Sequence, residues 1–281
     1  MAAKIKSQTI FANYYTLAGI NAKELEEKSF RESCILYDEN GNVTERAKYS
    51  PQGESESMVK MKYDARGNKT EELHFISEDE ISEKKTFKYD EKNMLAAEYL
   101  HYLDGSFDTT IYVYDKKNTL LETRTADSEN QLELRKEYRY NNELLSEIIS
   151  FDADENIIGK EIYKHDDKGN ILEKTMIYED GREENIFYEY DDLKRKTKII
   201  QQNDIEKAET HFNYNDRGNV CEEKLWSGEK LLRRVVFTYD ENSLPAGQTG
   251  LLKEIQEYTA VAGITSEQKT FKRVEYEYYA E

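Results

Sequence analysis

A six-residue motif recurs through most of the chain and constrains its fold more than any other feature. The motif Tyr-Asp-x-x-Gly-Asn is complete at 37–42 and 63–68, and close variants occur at 165–170 and 214–219. With weaker versions included, nine copies begin at Tyr37, Tyr63, Tyr89, Tyr114, Tyr140, His165, Tyr190, Tyr214 and Tyr239, the anchor residues. Successive anchors are 24 to 26 residues apart. A fixed period of this length predicts a protein built from one repeated supersecondary unit.

Each repeat has a second turn signal near its middle. Asp104-Gly105 and Asp180-Gly181 are strong signals, because Asp and Gly tolerate the positive φ of a tight reversal. Weaker signals at the same place in other repeats are Ser227-Gly228, Pro51-Gln52-Gly53 and Asn203-Asp204. A reversal every 12 or 13 residues, between flanks rich in Tyr, Ile, Thr and Val, predicts strands rather than helices. We therefore predict an all-β fold of β-hairpin repeats in one long antiparallel sheet, twisted or curled as an open spiral, a barrel or a sandwich.

Side-chain alternation before the anchors supports strands. Two residues before the anchors stand large apolar or aromatic residues: Ile35, Met61, Phe87, Tyr112, Tyr138, Tyr163, Tyr188, Phe212 and Phe237. The residue between each of these and its anchor is mostly polar. Since alternate strand residues share a face, we predict a packed ladder of aromatic side chains on one face and a solvated opposite face. Twelve residues after their anchors, Tyr49, Phe75, Ile177 and Trp226 are predicted to join the packed face less regularly.

The two ends of the chain depart from the repeat. Residues 1–34 are predicted to form an N-terminal cap and first strand, in which 21–27 begins either a short helix or a strand. The hairpin array occupies 35–245, and 246–281 supply C-terminal capping strands over Leu251–Thr259 and Lys269–Tyr278, after a loop at 243–250. Because terminal repeats must shield their sheet edges, we expect atypical caps and one cooperative domain.

Charge and composition exclude several classes of protein. The 281 residues include 58 Asp and Glu against 40 Lys and Arg, a net charge of −18. A general nucleic-acid binder needs surplus cations, so we predict no nucleic-acid partner. An aromatic content of 12% with only 2 Pro argues against a disordered acidic chain.

Cysteines and hydropathy give little sign of covalent cross-linking or membrane insertion. Cys34 and Cys221 are far apart in sequence, form no CxxC motif, and are predicted to be small sheet residues. No apolar run approaches the roughly 20 residues of a membrane-spanning helix. The segment 10–20 is a poor signal peptide, which slightly favours a cytoplasmic location, with export as the alternative if a leader has been removed.

No catalytic motif is present in the sequence. The four histidines, His74, His101, His165 and His211, are isolated, and HExxH, GxSxG and phosphate-loop motifs are absent. His165 replaces an anchor tyrosine and is predicted to occupy the same structural position. Turn-forming Asp and Asn resemble calcium ligands but lack the bidentate Glu of an EF-hand. We therefore predict a protein that is not an enzyme, with no catalytic residues, metal or cofactor.

The anchor motif resembles that of the RHS/YD-repeat family, whose mark is a recurring Tyr-Asp-x-x-Gly turn followed by a strand. The resemblance covers about residues 35–245, and Tyr-Asp itself recurs at 37, 63, 89, 114, 190 and 239. An antitoxin-type variant of the MORN repeat is a look-alike. Membership of the RHS/YD family would imply a long antiparallel sheet, used to enclose a toxin segment or for cell-surface contact. The chain lacks the Arg- and Pro-containing motif of the large shell proteins, so only the sheet architecture is implied.

Two functions are consistent with these features. The first is a non-enzymatic scaffold that binds another protein through a basic patch on that partner, as a chaperone, a neutraliser or a surface-contact protein. The alternative is a carbohydrate- or cell-surface-binding module that uses exposed aromatic side chains. The candidate binding residues are Tyr112, Tyr138, Tyr163, Tyr188 and Trp226.

Overall fold

The described part of the chain contains twenty β-strands. The computed structural model describes residues 4–17, 25–77, 79–240, 250–260 and 267–279, and all regular secondary structure there is β. The strands are β1 (Ile5–Leu17), β2 (Leu25–Tyr37), β3 (Val43–Tyr49), β4 (Ser55–Tyr63), β5 (Lys69–Phe75), β6 (Ile81–Tyr89), β7 (Leu95–His101), β8 (Phe107–Tyr114), β9 (Leu120–Ala126), β10 (Leu132–Asn141), β11 (Leu144–Phe151), β12 (Ile157–His165), β13 (Ile171–Tyr178), β14 (Glu183–Tyr190), β15 (Lys196–Gln202), β16 (Lys207–Tyr214), β17 (Val220–Ser227), β18 (Lys230–Asp240), β19 (Leu251–Ala260) and β20 (Glu267–Tyr278). The all-β prediction and the two C-terminal strands are confirmed.

All strands belong to one sheet, and its first and last strands are paired. β1 is antiparallel to β2 on one side and to β20 on the other, with Ile10 opposite both Ser33 and Val274. Strand pairing within the first unit therefore holds the two ends of the chain together. The N-terminal segment continues as a strand from Leu25. Residues 18–24 and all but Gly250 of the predicted loop at 243–250 lie outside the described residues.

The chain divides into two compact units. The first contains Met1–Lys84, Asn213–Lys224 and Leu232–Glu281, and therefore both chain ends. The second contains Lys85–Phe212 and Leu225–Leu231. Within the second unit, β7 to β16 pair antiparallel with their sequence neighbours, so its anchor turns lie at one end of the strands and its second turns at the other. The predicted boundaries at 34/35 and 245/246 remain predictions.

The aspartate of the anchor motif organises its turn, as predicted from its side chain. Oδ1 of Asp38 accepts the backbone N–H groups of Asn40 and Asn42, at 2.8 and 2.9 Å, and its Oδ2 accepts a hydrogen bond from the Asn42 side chain. These hydrogen bonds, chiefly that of the Asn42 side chain, lower the pKa of Asp38. The same arrangement recurs at Asp64 and Asp166. The motif therefore closes each turn with local hydrogen bonds alone.

The turn glycines adopt the left-handed conformation that the motif requires. Gly41 has φ +87°, and residues that replace Gly at this place also have positive φ, for example Asn118 at 66° and Lys194 at 61°. Asn visits this region at little cost, whereas a longer side chain such as Lys does so less readily. The turn geometry is thus kept at these two degenerate copies, whereas the copy at Tyr140 has a shorter turn in which Asn142 and Glu143 both have positive φ.

The anchor turn at 215–219 lacks the aspartate carboxylate and leaves a donor unpaired. At 215–219 the anchor aspartate is replaced by Asn215, whose Oδ1 accepts the backbone N–H groups of Arg217 and Asn219. The side-chain Nδ2 of Asn219 is buried and has no hydrogen-bond partner among the described residues. In the complete motif the corresponding Asn42 donates this group to an aspartate Oδ2.

We expect Asn215→Asp to stabilise the protein by about 1 kcal/mol at pH 7, because the buried amide gains an acceptor. The new carboxylate should have a lowered pKa, as Asp38 has. Its contribution is then present above the pKa of about 3.9 in the unfolded chain and is lost as the pH falls through the folded value. Urea unfolding at pH 7 and at lower pH measures both effects. Asp64→Asn is the matched control and should destabilise, and a destabilising Asn215→Asp would contradict this account.

The anchor tyrosines form hydrogen bonds to neighbouring repeats, a role that the sequence alone did not reveal. The Tyr140 hydroxyl donates to the backbone carbonyl of Leu120 at 2.8 Å, that is, to the start of the outgoing strand in the preceding repeat. Equivalent bonds, between 2.8 and 3.0 Å, join Tyr63 to Val43, Tyr114 to Leu95, Tyr190 to Ile171 and Tyr239 to Val220. His165 occupies the anchor position at the end of β12 without making such a bond. This recurrent bond gives a physical reason for tyrosine at the motif's first position.

Removing one of these tyrosine hydroxyl bonds tests this role. Tyr140→Phe keeps the ring and deletes the hydroxyl, so we expect it to lower the free energy of unfolding by about 1 kcal/mol. Tyr138→Phe is the matched control on the same face of β10, because the Tyr138 hydroxyl has no hydrogen-bond partner among the described residues. Equal effects of the two substitutions in urea unfolding would show that the hydroxyl bond contributes nothing.

Burial follows the predicted alternation, but both faces of the sheet contain buried residues. The nine residues two before the anchors are all half-buried, and the intervening residue is exposed in every repeat except at Leu36. Val235, on the ladder face, is 2% exposed, yet Ile149 on the opposite face is only 3% exposed, and Cys34 is also buried there. The prediction of one packed and one solvated face is therefore wrong. On the opposite face Ile149 lies between Glu137 and Lys160, and side chains of this length can cover an apolar neighbour.

A one-residue bulge follows several anchor turns and explains why the residues twelve positions after the anchors do not lie on the predicted face. Lys62 lies opposite Glu71, but the next residue, Tyr63, lies opposite Lys69, so Thr70 is an extra residue in β5. An extra residue inverts the alternation downstream. Phe75 therefore lies opposite Met58, on the face away from the ladder residue Met61. Similar register shifts follow other anchors. The row predicted twelve residues after the anchors thus lies on the opposite face.

Candidate functional site

Four of the five predicted binding residues share one face of the second unit. Tyr112, Tyr138, Tyr163 and Tyr188 lie on alternate strands β8, β10, β12 and β14, and all are half-buried. An outgoing strand separates successive tyrosines, so they are about 10 Å apart. Ile148, for example, lies between Tyr138 on one side and Glu161 on the other. Among the described residues, no two of these four rings are in contact.

Charged side chains already engage much of this tyrosine row. The Tyr112 hydroxyl donates to Glu98 at 3.3 Å, and burial together with Glu98 raises the pKa of Tyr112 to about 12. The Tyr163 hydroxyl donates to Glu161 at 2.6 Å, and burial with this bond raises the pKa of Tyr163. Lys174 pairs with Glu161 at 2.7 Å. The tyrosine row therefore also contains glutamate and lysine side chains that contact the tyrosines, and it is not a purely aromatic surface.

Trp226 is not part of this row. Its ring lies 6.5 Å from that of His211, whose neighbour across the strand pair is Lys198. His211 also bonds Glu209 at 3.1 Å, on the face opposite the tyrosines. The structure therefore separates the fifth predicted residue from the other four.

The second-turn end of the second unit carries a concentration of negative charge that the sequence analysis missed. We define this end by five turns: 102–106, 127–131, 152–156, 178–182 and 203–206. They contain ten carboxylates and one arginine, a net charge of −9. The five anchor turns of the same unit, at 90–94, 115–119, 141–144, 166–170 and 191–195, contain eight carboxylates and six cations, a net charge of −2. Counting charge turn by turn would have found this asymmetry.

Three adjoining concavities lie at this end, between β12 and β16. The first, of about 530 Å³, is lined by Ile158, Tyr178, Glu179, Asp180 and Arg182. The second, of about 220 Å³, continues from Tyr178 and Arg182 across Glu183 and Glu184 to 203–205. The third, of about 140 Å³, is lined by residues of β14, β15 and β16 and the turn at 203–206. We call the three together the turn groove.

The turn groove combines apolar and acidic side chains. Ile205 is 93% exposed and Tyr178 is 41% exposed. Arg182 lies over the Tyr178 ring and pairs with Asp180 at 2.6 Å, which lowers the pKa of Asp180. The carboxylates of Glu179, Glu183, Asp204 and Glu206 form no ion pair with described residues. Arg182, the one cation among the described residues that line the groove, is thus already paired, and four carboxylates are open to an external cation.

Reactive groups elsewhere are dispersed. Cys34 and Cys221 are free thiols in β2 and β17, and Cys34 lies 3.5 Å from the Thr9 hydroxyl. Within the described ranges no three His, Cys, Asp or Glu side chains are arranged to hold a metal ion. No helix in the described part of the chain has the length and apolar character needed to cross a membrane.

Comparison with known proteins finds similarity only among solved structures. No family model matches the chain, and no curated protein matches it. The Photorhabdus luminescens Tc holotoxin pore, with the mutation TccC3-D651A, is 12% identical with a TM-score of 0.41, covering 92% of this chain. This chain spans only 16% of that one. A porin-like protein from Bacteroides uniformis is 8% identical with a TM-score of 0.39, over 97% of this chain and 96% of its own. A porin-like protein from Bacteroides vulgatus has 12% identity and a TM-score of 0.27, over 85% of this chain and 99% of its own.

Proposed function

We propose that the protein is a non-enzymatic β-repeat scaffold of the YD type that binds a partner protein through a basic patch on that partner. The YD assignment is supported by the roles of the two motif residues. The tyrosine bonds a neighbouring repeat, as Tyr140 bonds Leu120, and the aspartate closes its own turn, as Asp38 does. Both residues therefore serve the architecture, and their recurrence needs no catalytic explanation.

The observation that carries the proposal is the uneven distribution of negative charge. Many carboxylates on the strands are held by neighbouring cations, such as Glu209 by Lys198 at 2.8 Å and Glu222 by Arg234 at 2.6 Å. The five turns at the second-turn end of the second unit contain ten carboxylates and a single arginine, and Arg135 of β10 pairs with one of the ten, Glu155. Such a field attracts a basic surface and accelerates its association. Nucleic acid, being anionic, would be repelled.

Carbohydrate binding by the tyrosine row is the alternative, and the four tyrosines on one face favour it. Against it, glutamates accept hydrogen bonds from the hydroxyls of Tyr112 and Tyr163. A sugar would have to displace or share these contacts. We therefore place protein binding first.

A pull-down at low and high salt tests the proposal. The immobilised protein is incubated with lysate of its native organism, and bound proteins are identified by mass spectrometry. We expect a basic protein that is retained at low salt and released at high salt, because screening weakens exposed charge pairs. Absence of any protein partner, with binding on a glycan array, would support the carbohydrate alternative and overturn the proposal.

A further inference from the structure

We propose that the turn groove binds an extended segment of the partner in which lysine or arginine residues are interspersed with apolar residues. This inference rests on the proposed function and specifies its site. It assigns the groove between β12 and β16 as the docking surface, and leaves the tyrosine row and the anchor turns outside it.

Exposed apolar side chains in the groove favour a partner segment that carries apolar residues. Ile205 projects almost fully exposed from the turn at 203–206, and Tyr178 lines both of the larger concavities. Ile157, at the start of β12, is 47% exposed. It precedes Ile158, which lines the first concavity. A half-exposed tyrosine beside exposed isoleucines is typical of a surface that becomes covered on binding.

Carboxylates without an ion-pair partner among the described residues favour a partner segment that carries lysine or arginine. Glu179, Glu183, Asp204 and Glu206 form no ion pair with described residues and flank these apolar side chains. Arg182 does not neutralise them, because its guanidinium is already bound to Asp180 and placed over the Tyr178 ring. Charge complementarity therefore calls for a cationic occupant, and the apolar side chains call for one that also carries hydrophobic residues.

The size of the groove fits an extended chain. It crosses from β12 to β16, which are consecutive neighbours in the sheet, so it spans four strand intervals. At about 4.8 Å per interval this is about 19 Å. An extended segment of about six residues has that length at about 3.3 Å per residue. A linear segment of about six residues can therefore span the groove. If charge alone determined binding, the segment would need no apolar residues beside Ile205 and Tyr178.

Titration with defined peptides tests the inference without knowledge of the natural partner. The probe is a short fluorescein-labelled peptide that contains lysines and leucines, and fluorescence anisotropy reports its binding to the full chain. We expect saturable binding that weakens when serines replace the leucines and disappears when glutamates replace the lysines. Binding of the lysine–serine peptide as tight as that of the lysine–leucine peptide would overturn the apolar part of the proposal.

Two matched sets of substitutions locate the site. The groove variant is Glu179→Gln, Glu183→Gln, Asp204→Asn and Glu206→Gln; the control variant, at the anchor end, is Glu91→Gln, Glu143→Gln, Asp167→Asn and Asp192→Asn. Both remove four exposed negative charges from the same unit. We expect the groove variant to weaken peptide affinity about tenfold or more and the control about twofold or less. Ile205→Ser should weaken it about fivefold through lost apolar contact.

The outcomes separate this inference from the proposed function. Thermal melting first establishes that each variant folds. If the groove variant and the control variant weaken peptide binding equally, the groove is not the binding site, and the inference is overturned. If in addition the lysate partner is still captured and released by salt, the proposed function stands and its site lies elsewhere. If no salt-sensitive protein partner is captured, the proposed function itself fails.

Discussion

Replacing Val274 by proline is expected to lower the free energy of unfolding by about 3 kcal/mol, because it breaks the pairing that joins the two ends of the chain. Val274 lies within β20, opposite Ile10 of β1, and β20 is paired on its other side with β19. Proline has no backbone N–H, so the substitution removes the one hydrogen bond that Val274 can donate to a neighbouring strand. Neighbouring contacts also depend on this strand, including the Lys272–Glu32 ion pair at 2.7 Å and the bond from the Tyr276 hydroxyl to the Leu252 carbonyl.

The substitution should also cause association. Once β20 separates, β1 and β19 each present an unpaired edge, and unprotected edges pair with other chains. Size-exclusion chromatography with light scattering would detect the associated species, and urea unfolding would give the loss of stability. Val274→Ala is the control, since it keeps the backbone donor and should cost only about 1 kcal/mol. A monomeric Val274→Pro protein as stable as Val274→Ala would contradict the pairing of β1 with β20.

Replacing Ile149 by alanine is expected to cost about 2–3 kcal/mol. Ile149 is 3% exposed in β11, although it lies on the face opposite the tyrosine ladder, between Glu137 and Lys160 on the neighbouring strands. A solvated face would make the same substitution nearly neutral. The experiment therefore measures whether the opposite face contributes to packing, as the structure indicates.

Ile157→Ala is the matched control for this substitution. It removes the same atoms at a position that is 47% exposed. We expect it to cost less than about 1 kcal/mol, measured by urea unfolding under the same conditions. Equal costs at the two positions would show that Ile149 is not packed by its charged neighbours.

Local features of the fold could be predicted from the sequence because they depend on residues close together in the chain. The Tyr-Asp-x-x-Gly-Asn motif contains the acceptor, the donors and the left-handed residue of its turn, as Asp38, Gly41 and Asn42 show. The pairing of β1 with β20 could not be predicted in the same way. It joins residues more than two hundred positions apart, and neither strand carries the repeat that would indicate its partner.

The candidate site was predictable only in part. The face shared by Tyr112, Tyr138, Tyr163 and Tyr188 follows from their constant position before the anchor turn. Trp226 was misassigned because the extra residue after the anchor turn, like Thr70 in β5, changes the face of every later side chain. The turn groove was missed for another reason. Its charge becomes visible only when the two kinds of turn are assigned to opposite ends of the strands and counted separately.

The rate at which the captured partner associates with the protein, measured against salt concentration, tests the central claim most directly. If the acidic second-turn end attracts a basic partner, the association rate should fall by about tenfold or more between low and high salt. The groove variant should show a shallower dependence, because four of the attracting charges are gone. An association rate that does not change with salt would contradict a charge-driven scaffold.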